Sequence, residues 1–346
     1  LARKIGKDHQ AGGVPGYFKG VILLDRDLAL NLVRVTEAAA LRAAKFMGRG
    51  DKNAADQAAV DGMRRMFDTI HINGVVVIGE GEMDEAPMLY IGERIGCRAK
   101  DDVKVDIAVD PLDGTSLIAK GRPNAISVVA IAPEGCLLHA PDMYMDKLAV
   151  SAKAKGAVDI NAPLEDNLTN VAKALNKDIS DLTVTMLDRP RHEEMIDRIR
   201  KLGARIKLFS DGDVAAAIAT GFEHTGVDIL MGIGGAPEGV IAAVAMKCMG
   251  GDFQGKLVPY TEEERERCRR MGITDTNRVL YLDDLVKGDE AYFAATGVSD
   301  GELLKGVVYY GNGRAKTHSV IMRSETGTIR FIEAIHQLDK KPVYAI

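Results

Sequence analysis

Between residues 182 and 249 strand-like and helix-like patterns alternate, and this alternation restricts what the chain can fold into more than any other feature. Leu182-Thr-Val-Thr-Met-Leu187, Ala204-Arg-Ile-Lys-Leu-Phe209 and Val227-Asp-Ile-Leu-Met231 are short runs of strand formers. His192–Leu202, Val214–Thr220 and Pro237–Met249 lie after them and read as helices. Strands separated by helices pair in parallel through right-handed crossovers, so the expected class is α/β. The N-terminal half is less regular and reads as α+β. Leu28, Leu32, Val35, Ala39 and Arg42 keep helical spacing, a second helical stretch runs from Ala54 to Ile70, and strands follow at Val75–Ile78, Val103–Val109 and Ala125–Ile131. Tyr260–Met271 reads as a charged helix or solvated face, and Thr317–Glu333 as a hairpin turning at Glu325-Thr-Gly327.

At 346 residues the chain is long enough for about two domains. The grammar changes near residue 160, so the expected division is 25–160 and 161–346, behind a poorly ordered leader over 1–24. A net charge of −5 offers no electrostatic case for nucleic acid or an anionic membrane surface, and no apolar run is long enough to span a bilayer. Cys97, Cys136, Cys248 and Cys268 are widely spaced with no C-x-x-C pair. That is the pattern of free thiols in a reducing compartment, so a cytoplasmic location is expected.

In open α/β sheets ligands collect beyond the carboxyl ends of the strands, and here those ends are polar. Leu187 leads to Asp188-Arg-Pro-Arg-His192, Phe209 to Ser210-Asp-Gly-Asp213, and Met231 to Gly232-Ile-Gly-Gly-Ala-Pro-Glu-Gly239. In the N-terminal half, Ile78 runs into Gly79-Glu-Gly-Glu82 and Val109 into Asp110-Pro-Leu-Asp-Gly-Thr115. The last of these sets two carboxylates, a carbonyl, a glycine and a hydroxyl at one strand end, a donor set suited to Mg²⁺ or Mn²⁺. Asp, Pro and Gly are also the ordinary residues of a tight turn, so those six residues alone fit either reading. Asp56 alone also fits a first-turn helix acid, Glu80 and Glu82 fit solvent-facing loop acids, and Arg189 and Arg191 fit plain surface charge.

Taken together the residues suggest more. Asp56, Glu80, Asp110, Asp113 and Glu238 are too many acids to pack in one cleft without cations, and two hard divalent ions would meet that need. Arg189 and Arg191 form a natural phosphate clamp. Cations at one end and arginines at the other suggest a substrate with two phosphates, with Asp211 and Asp213 accepting hydrogen bonds from polyol hydroxyls between them. G-x-S-x-G and G-x-x-x-x-G-K-[ST] do not occur, and Pro237 stands where a dinucleotide loop needs its third glycine.

Asp110–Thr115, the upstream Gly79-Glu-Gly-Glu82 and the downstream Gly-Ala-Pro-Glu-Gly239 resemble the lithium-sensitive, metal-dependent sugar phosphatase superfamily. Gly48–Asp56, Val77–Pro87, Ala140–Met145, Pro190–His192, Ser210–Asp213 and Gly232–Gly239 are similar, more closely, to class II fructose-1,6-bisphosphatase. The resemblance implies a layered α-β-α-β-α sandwich of two domains, N-terminal for metal and C-terminal for substrate, assembled as a homo-dimer or tetramer. It implies one Mn²⁺ or Mg²⁺ on Asp56 and Glu80, and another on Asp110, Asp113, Glu238 and the Leu112 carbonyl. It makes Thr115 the catalytic hydroxyl, aided by Asp84. Substrate contacts would come from Asp113, Gly114, Thr115, Tyr144, Arg189, Pro190, Arg191, Asp211, Gly212, Asp213 and Gly235. The implied reaction is hydrolysis of the 1-phosphate of fructose 1,6-bisphosphate in gluconeogenesis. A sedoheptulose 1,7-bisphosphatase and a catalytically silent sugar-phosphate sensor are the alternatives.

Overall fold

The computed structural model describes residues 24, 27–81 and 88–342. The leader expected over 1–24 therefore lies outside the described residues, apart from Leu24. That residue is buried, and its N–H donates to Glu290 Oε2 at 3.1 Å.

Helix α1 (Leu28–Ala43) buries Leu28, Leu32, Val35 and Ala39, the stripe that the sequence periodicity marks. Helix α2 (Lys52–Phe67) begins one residue after Asp51, whose side chain accepts from Ala54 N at 2.9 Å and caps the first turn. The two helices pack closely because Gly62 has no side chain. A Cβ there would lie 2.7 Å from the Ala38 carbonyl oxygen.

Strands β1 (Asn73–Ile78), β2 (Arg94–Ile95), β3 (Lys104–Asp113) and β4 (Ile126–Pro133) begin a first sheet. Strands β5 (Tyr144–Val150), β6 (Thr183–Leu187), β7 (Arg205–Phe209), β8 (Ile229–Gly235), β9 (Asp252–Val258) and β10 (Leu280–Tyr281) make a second. The chain then returns to the first sheet with β11 (Tyr292–Gly297), β12 (Val308–Tyr310), β13 (Arg314–Arg323) and β14 (Thr328–Gln337). The last two form the expected hairpin, antiparallel from Arg314↔Gln337 to Arg323↔Thr328.

The second sheet runs β10-β9-β5-β8-β6-β7. Strand β6 is parallel to both β7 and β8, as the strand–helix alternation requires. Strand β5 is antiparallel to β8 and β9 and comes from before residue 160. The change of grammar near 160 is therefore not a boundary between sheets: β5 belongs to the second sheet and β11–β14 to the first. Strand pairing joins residues far apart in sequence, and a local change of pattern carries no information about it.

The remaining α-helices among the described residues are α3 (Thr115–Ala119), α4 (Leu164–Leu175), α5 (Glu193–Lys201), α6 (Asp213–Ala219), α7 (Ala236–Met249), α8 (Glu262–Arg270) and α9 (Leu282–Leu285). Three apolar clusters show how the layers stack. One joins α1 and α2 to the first sheet through Val105, Ile107, Val109 and Ile131. A second joins the opposite face of that sheet (Ala108, Val128, Ala130) to α6, α7 and the facing side of the second sheet (Met145, Ala149, Leu230). The third joins Leu148, Val184 and Ile229 to α4 and α5. The result is the mixed α/β, layered α-β-α-β-α arrangement. Helix α7 is apolar on nearly every side because it lies between two sheets. Fully burying a side chain such as Val240 or Met246 there is worth about 1.5–3 kcal/mol. Among the described residues no helix is long and apolar enough to cross a membrane.

Candidate active site

The site is shaped by an irregularity at the carboxyl end of β3, an inner strand of the first sheet. Asp110 pairs with Val128 and Asp113 with Ile126, so the register shifts between them. Pro111 explains the shift, because it has no N–H to give to the ladder. Such a bulge re-aims side chains, and here both carboxylates line the same cleft. The Leu112 N–H donates to Asp110 Oδ1 at 3.0 Å and steadies the bend. Gly114 then turns the chain at φ 100°, which favours glycine, and Thr115 opens α3.

This cleft encloses about 430 Å³ and is also lined by Asp56, Glu80, Leu112, Gly114, Thr115, Asp142, Asp211 and Glu238. A neighbouring hollow of about 460 Å³ shares Asp113, Asp142, Asp211 and Glu238 with it, so the two are continuous. The second hollow adds Tyr144, Arg189, Arg191, Gly212, Asp213 and Gly235. Asp56 comes from α2 and Glu80 follows β1, while Glu238 sits in the first turn of α7. Pro190 lines neither hollow but starts the short 3-10 turn Pro190–His192 that carries Arg191. Asp84 falls within 82–87, outside the described residues.

The acids repel one another in a dry place. Burial, then the Asp56 charge beside it, pushes the Glu80 carboxyl up to about 8. Burial raises Asp56 as well, against a lowering hydrogen bond with Glu80. Asp110 is held well above the usual carboxylate range by burial and then by Asp113, Glu80, Glu238 and Asp56. Asp113 is raised by burial and then by Asp213, Glu238 and Asp211. Burial raises Glu238 while the Lys147 ammonium lowers it, and its Oε2 is buried without a hydrogen-bond partner.

Among the described residues no three His, Cys, Asp or Glu side chains converge into a ready-made metal cluster. The carboxylates line the cleft wall instead. Their donor set is all oxygen, and mutual repulsion with an orphaned Glu238 oxygen is the environment that a hard divalent cation relieves. The residues therefore fit such an ion.

Across the cleft the arginines are held by main-chain carbonyls. Arg189 donates from Nη1 to Asp188 O and from Nη2 to Ser210 O, both at 2.9 Å. Arg191 donates to Ile233 O from Nε at 3.2 Å and Nη2 at 2.6 Å, and its guanidinium lies 4.7 Å from the Tyr144 ring centre. Tyr260 meets Tyr144 edge-on at 5.6 Å. The segment around the Asp-Gly-Asp turn is joined to α3 and β3: Asp211 Oδ2 accepts from Ser116 N at 3.3 Å, and Asp113 Oδ2 from Val214 N at 3.2 Å. Close approach also explains Gly235, where a Cβ would fall 1.9 Å from Glu238 Oε2.

Sequence reasoning missed several residues that the structure brings here. Lys147, with 2% of its side chain exposed, is ion-paired to Asp213. Its signal is a lysine at 147 in register with the apolar Met145 and Ala149, on the alternate positions of one strand. Asp142 lines both hollows and Glu264 the second, and Tyr260 buttresses Tyr144. His192 is buried and packs against Gly232, where a Cβ would lie 3.0 Å from Nε2.

A layered α/β fold with an acid-lined cleft opposite paired arginines defines a protein built to receive a phosphorylated small molecule. The chain belongs to the family described as bacterial fructose-1,6-bisphosphatase, glpX-encoded, whose model matches residues 26–336. It is 46% identical over 338 residues to a protein named D-fructose 1,6-bisphosphatase class 2/sedoheptulose 1,7-bisphosphatase from Synechococcus sp. (strain JA-2-3B'a(2-13)), covering 91% of this chain and 97% of that one. It is 49% identical over 329 residues to fructose-1,6-bisphosphatase 1 class 2 of Escherichia coli (strain K12), with the same coverage of 91% and 97%.

Proposed function

We propose that this chain hydrolyses the 1-phosphate of fructose 1,6-bisphosphate, giving fructose 6-phosphate and inorganic phosphate, as a step of gluconeogenesis. The observation that carries the reading is the single cleft in which an acidic end and an arginine end share Asp113, Asp142, Asp211 and Glu238. Asp56 and Glu80 would hold one divalent cation, Mn²⁺ or Mg²⁺, and Asp110, Asp113, Glu238 and the Leu112 carbonyl another. Such cations, when bound, neutralise charge on phosphoryl oxygens and make water a better nucleophile near neutral pH.

The chain's own residues do the rest. Arg189 and Arg191 bind the phosphate that stays, with Tyr144 fixing the plane of Arg191. Asp211 and Asp213 accept hydrogen bonds from sugar hydroxyls and set the distance between the two phosphates. Gly114 and Gly235 let the backbone approach the substrate. The Thr115 hydroxyl orients the attacking water, and Asp84 is the acid assigned to assist it.

Sedoheptulose 1,7-bisphosphate is a second substrate on this reading, favoured by the double name of the Synechococcus relative. The proposal includes a cytoplasmic homo-dimer or tetramer. A phosphate-release panel over fructose 1,6-, sedoheptulose 1,7- and inositol phosphates, each with Mn²⁺ and with Mg²⁺, tests it. Release from inositol phosphates alone, or from none of the set, would overturn the assignment; the latter result is that of a silent sensor.

A further inference from the structure

Lys147 lies in the middle of β5, on the face that carries the buried Met145 and Ala149 towards α7. The other residues on that face are apolar, and burying an ammonium among them carries a large desolvation cost unless it is paired. Its Nζ meets Asp213 Oδ2 on α6. Two glycines make room for this pair. A Cβ on Gly234 would fall 2.0 Å from Asp213 Oδ2 and 3.0 Å from Lys147 Nζ, and one on Gly239 would lie 3.5 Å from Lys147 Cδ. The Asp-Gly-Asp turn is thus tied at both ends, with Asp211 receiving an N–H from Ser116 of α3 and Asp213 receiving the ammonium of the second sheet.

We propose that Lys147 is a positioning residue for sugar recognition: its ammonium fixes the orientation of Asp213, leaving the second carboxylate oxygen for a substrate hydroxyl. This rests on the reading of Asp213 as a sugar contact. A neutral side chain at 147 leaves Asp213 free to rotate and crowded by the neighbouring acids. Lysine suits the place because its slim stem passes Gly239 and delivers a point charge, whereas a guanidinium is too broad for a gap lined by glycines.

A double-mutant cycle tests the coupling, read as KM and kcat for fructose 1,6-bisphosphate and as Mn²⁺ affinity by equilibrium binding without substrate. Asp213→Asn and Lys147→Met should each raise KM about 10- to 100-fold, the scale of one charge-assisted hydrogen bond, with kcat and Mn²⁺ affinity little changed. The double variant should match Asp213→Asn within about 2-fold, because Lys147 acts through Asp213. Multiplied effects in the double variant would overturn the proposal. So would Lys147→Met weakening Mn²⁺ binding with KM unchanged, which would make Lys147 a partner of Glu238 instead. If Lys147→Met alone does not fold, as circular dichroism would show, the comparison of Asp213→Asn with the double variant still decides, since both charges are then removed together. An unchanged KM in Asp213→Asn alone marks failure of the underlying sugar-contact reading, and the proposal goes with it.

Discussion

The Ile233 N–H donates to His192 Nε2 at 2.8 Å, joining the turn after β6 to β8 across 41 residues of sequence. The other ring nitrogen faces Leu187 O at 2.7 Å, so the bonding pattern calls for a neutral ring with its proton on Nδ1. Arg191, the residue before it, donates to the carbonyl of the same Ile233. The histidine therefore sets where the arginine stands.

His192→Phe keeps the ring volume but leaves the Ile233 N–H without a buried acceptor, at a cost of about 1–3 kcal/mol. The Ile233 carbonyl that anchors Arg191 belongs to the same residue and shifts with it. The expected result is a lower Tm and a KM that rises more than kcat falls, measured by thermal unfolding and steady-state kinetics. A variant with wild-type KM would show that Arg191 is held without His192.

Thr115 sits at the lip of the acidic cleft, after the glycine that turns β3 into α3. Thr115→Ala should lower kcat about 100-fold or more while the fold and Mn²⁺ binding persist, the range expected when a group that handles the attacking water is lost. Thr115→Ser, which keeps the hydroxyl, should recover much of the rate. Phosphate release at the wild-type rate from the alanine variant would remove Thr115 from the chemistry.

The repulsion among the buried acids makes a prediction about stability. With chelator present, Glu238→Gln should unfold at a higher temperature than the wild type, because it removes one of the charges that raise Asp110 and Asp113. Mn²⁺ should raise the wild-type Tm, by an amount equivalent to about 2.7 kcal/mol at 100 times its dissociation constant. The variant should show a much smaller rise. Equal Mn²⁺ shifts in the two proteins would exclude Glu238 as a ligand.

Far from the cleft, Thr317 Oγ1 donates to Glu37 Oε1 at 3.0 Å and stands 2.8 Å from His336 Nε2. Burial pushes the His336 ring down to about 4 from its ordinary 6.5. Between those values the unfolded chain takes up the proton and the folded chain does not, so this histidine's contribution is lost as pH falls from about 6.5 towards about 4. Burial raises Glu37, which gives the opposite trend: its contribution is present at low pH and is lost as pH rises through its raised value. Comparing Tm against pH for the wild type and His336→Gln separates the two. The variant should lack the wild type's extra loss below about 6.5, and parallel curves would show that the ring is not the cause.

The candidate site was legible where its chemistry is local. Asp110, Asp113, Gly114 and Thr115 stand together because a proline bends the end of a strand and a glycine then turns the chain, and the Asp211–Asp213 turn likewise follows a strand. Residues that serve the site from within regular structure were not legible. Lys147 lies inside β5, 66 residues before Asp213, and no local pattern pairs them. His192 stands in the polar run after β6, but its role comes from the Leu187 carbonyl and the Ile233 N–H on either side of its ring.

Sequence alone determined the parallel β6–β7–β8 unit, the β13–β14 hairpin, the helical stripe of α1 and the acidic strand ends, because each depends on periodicity and turn chemistry within a short window. Tertiary structure alone decided that β5 joins the second sheet, that β11–β14 return to the first, and that α7 fills the space between them. Those choices set which strand ends share a cleft. They rest on pairing and packing between distant segments, where the free energy comes from surfaces that meet only in the folded chain.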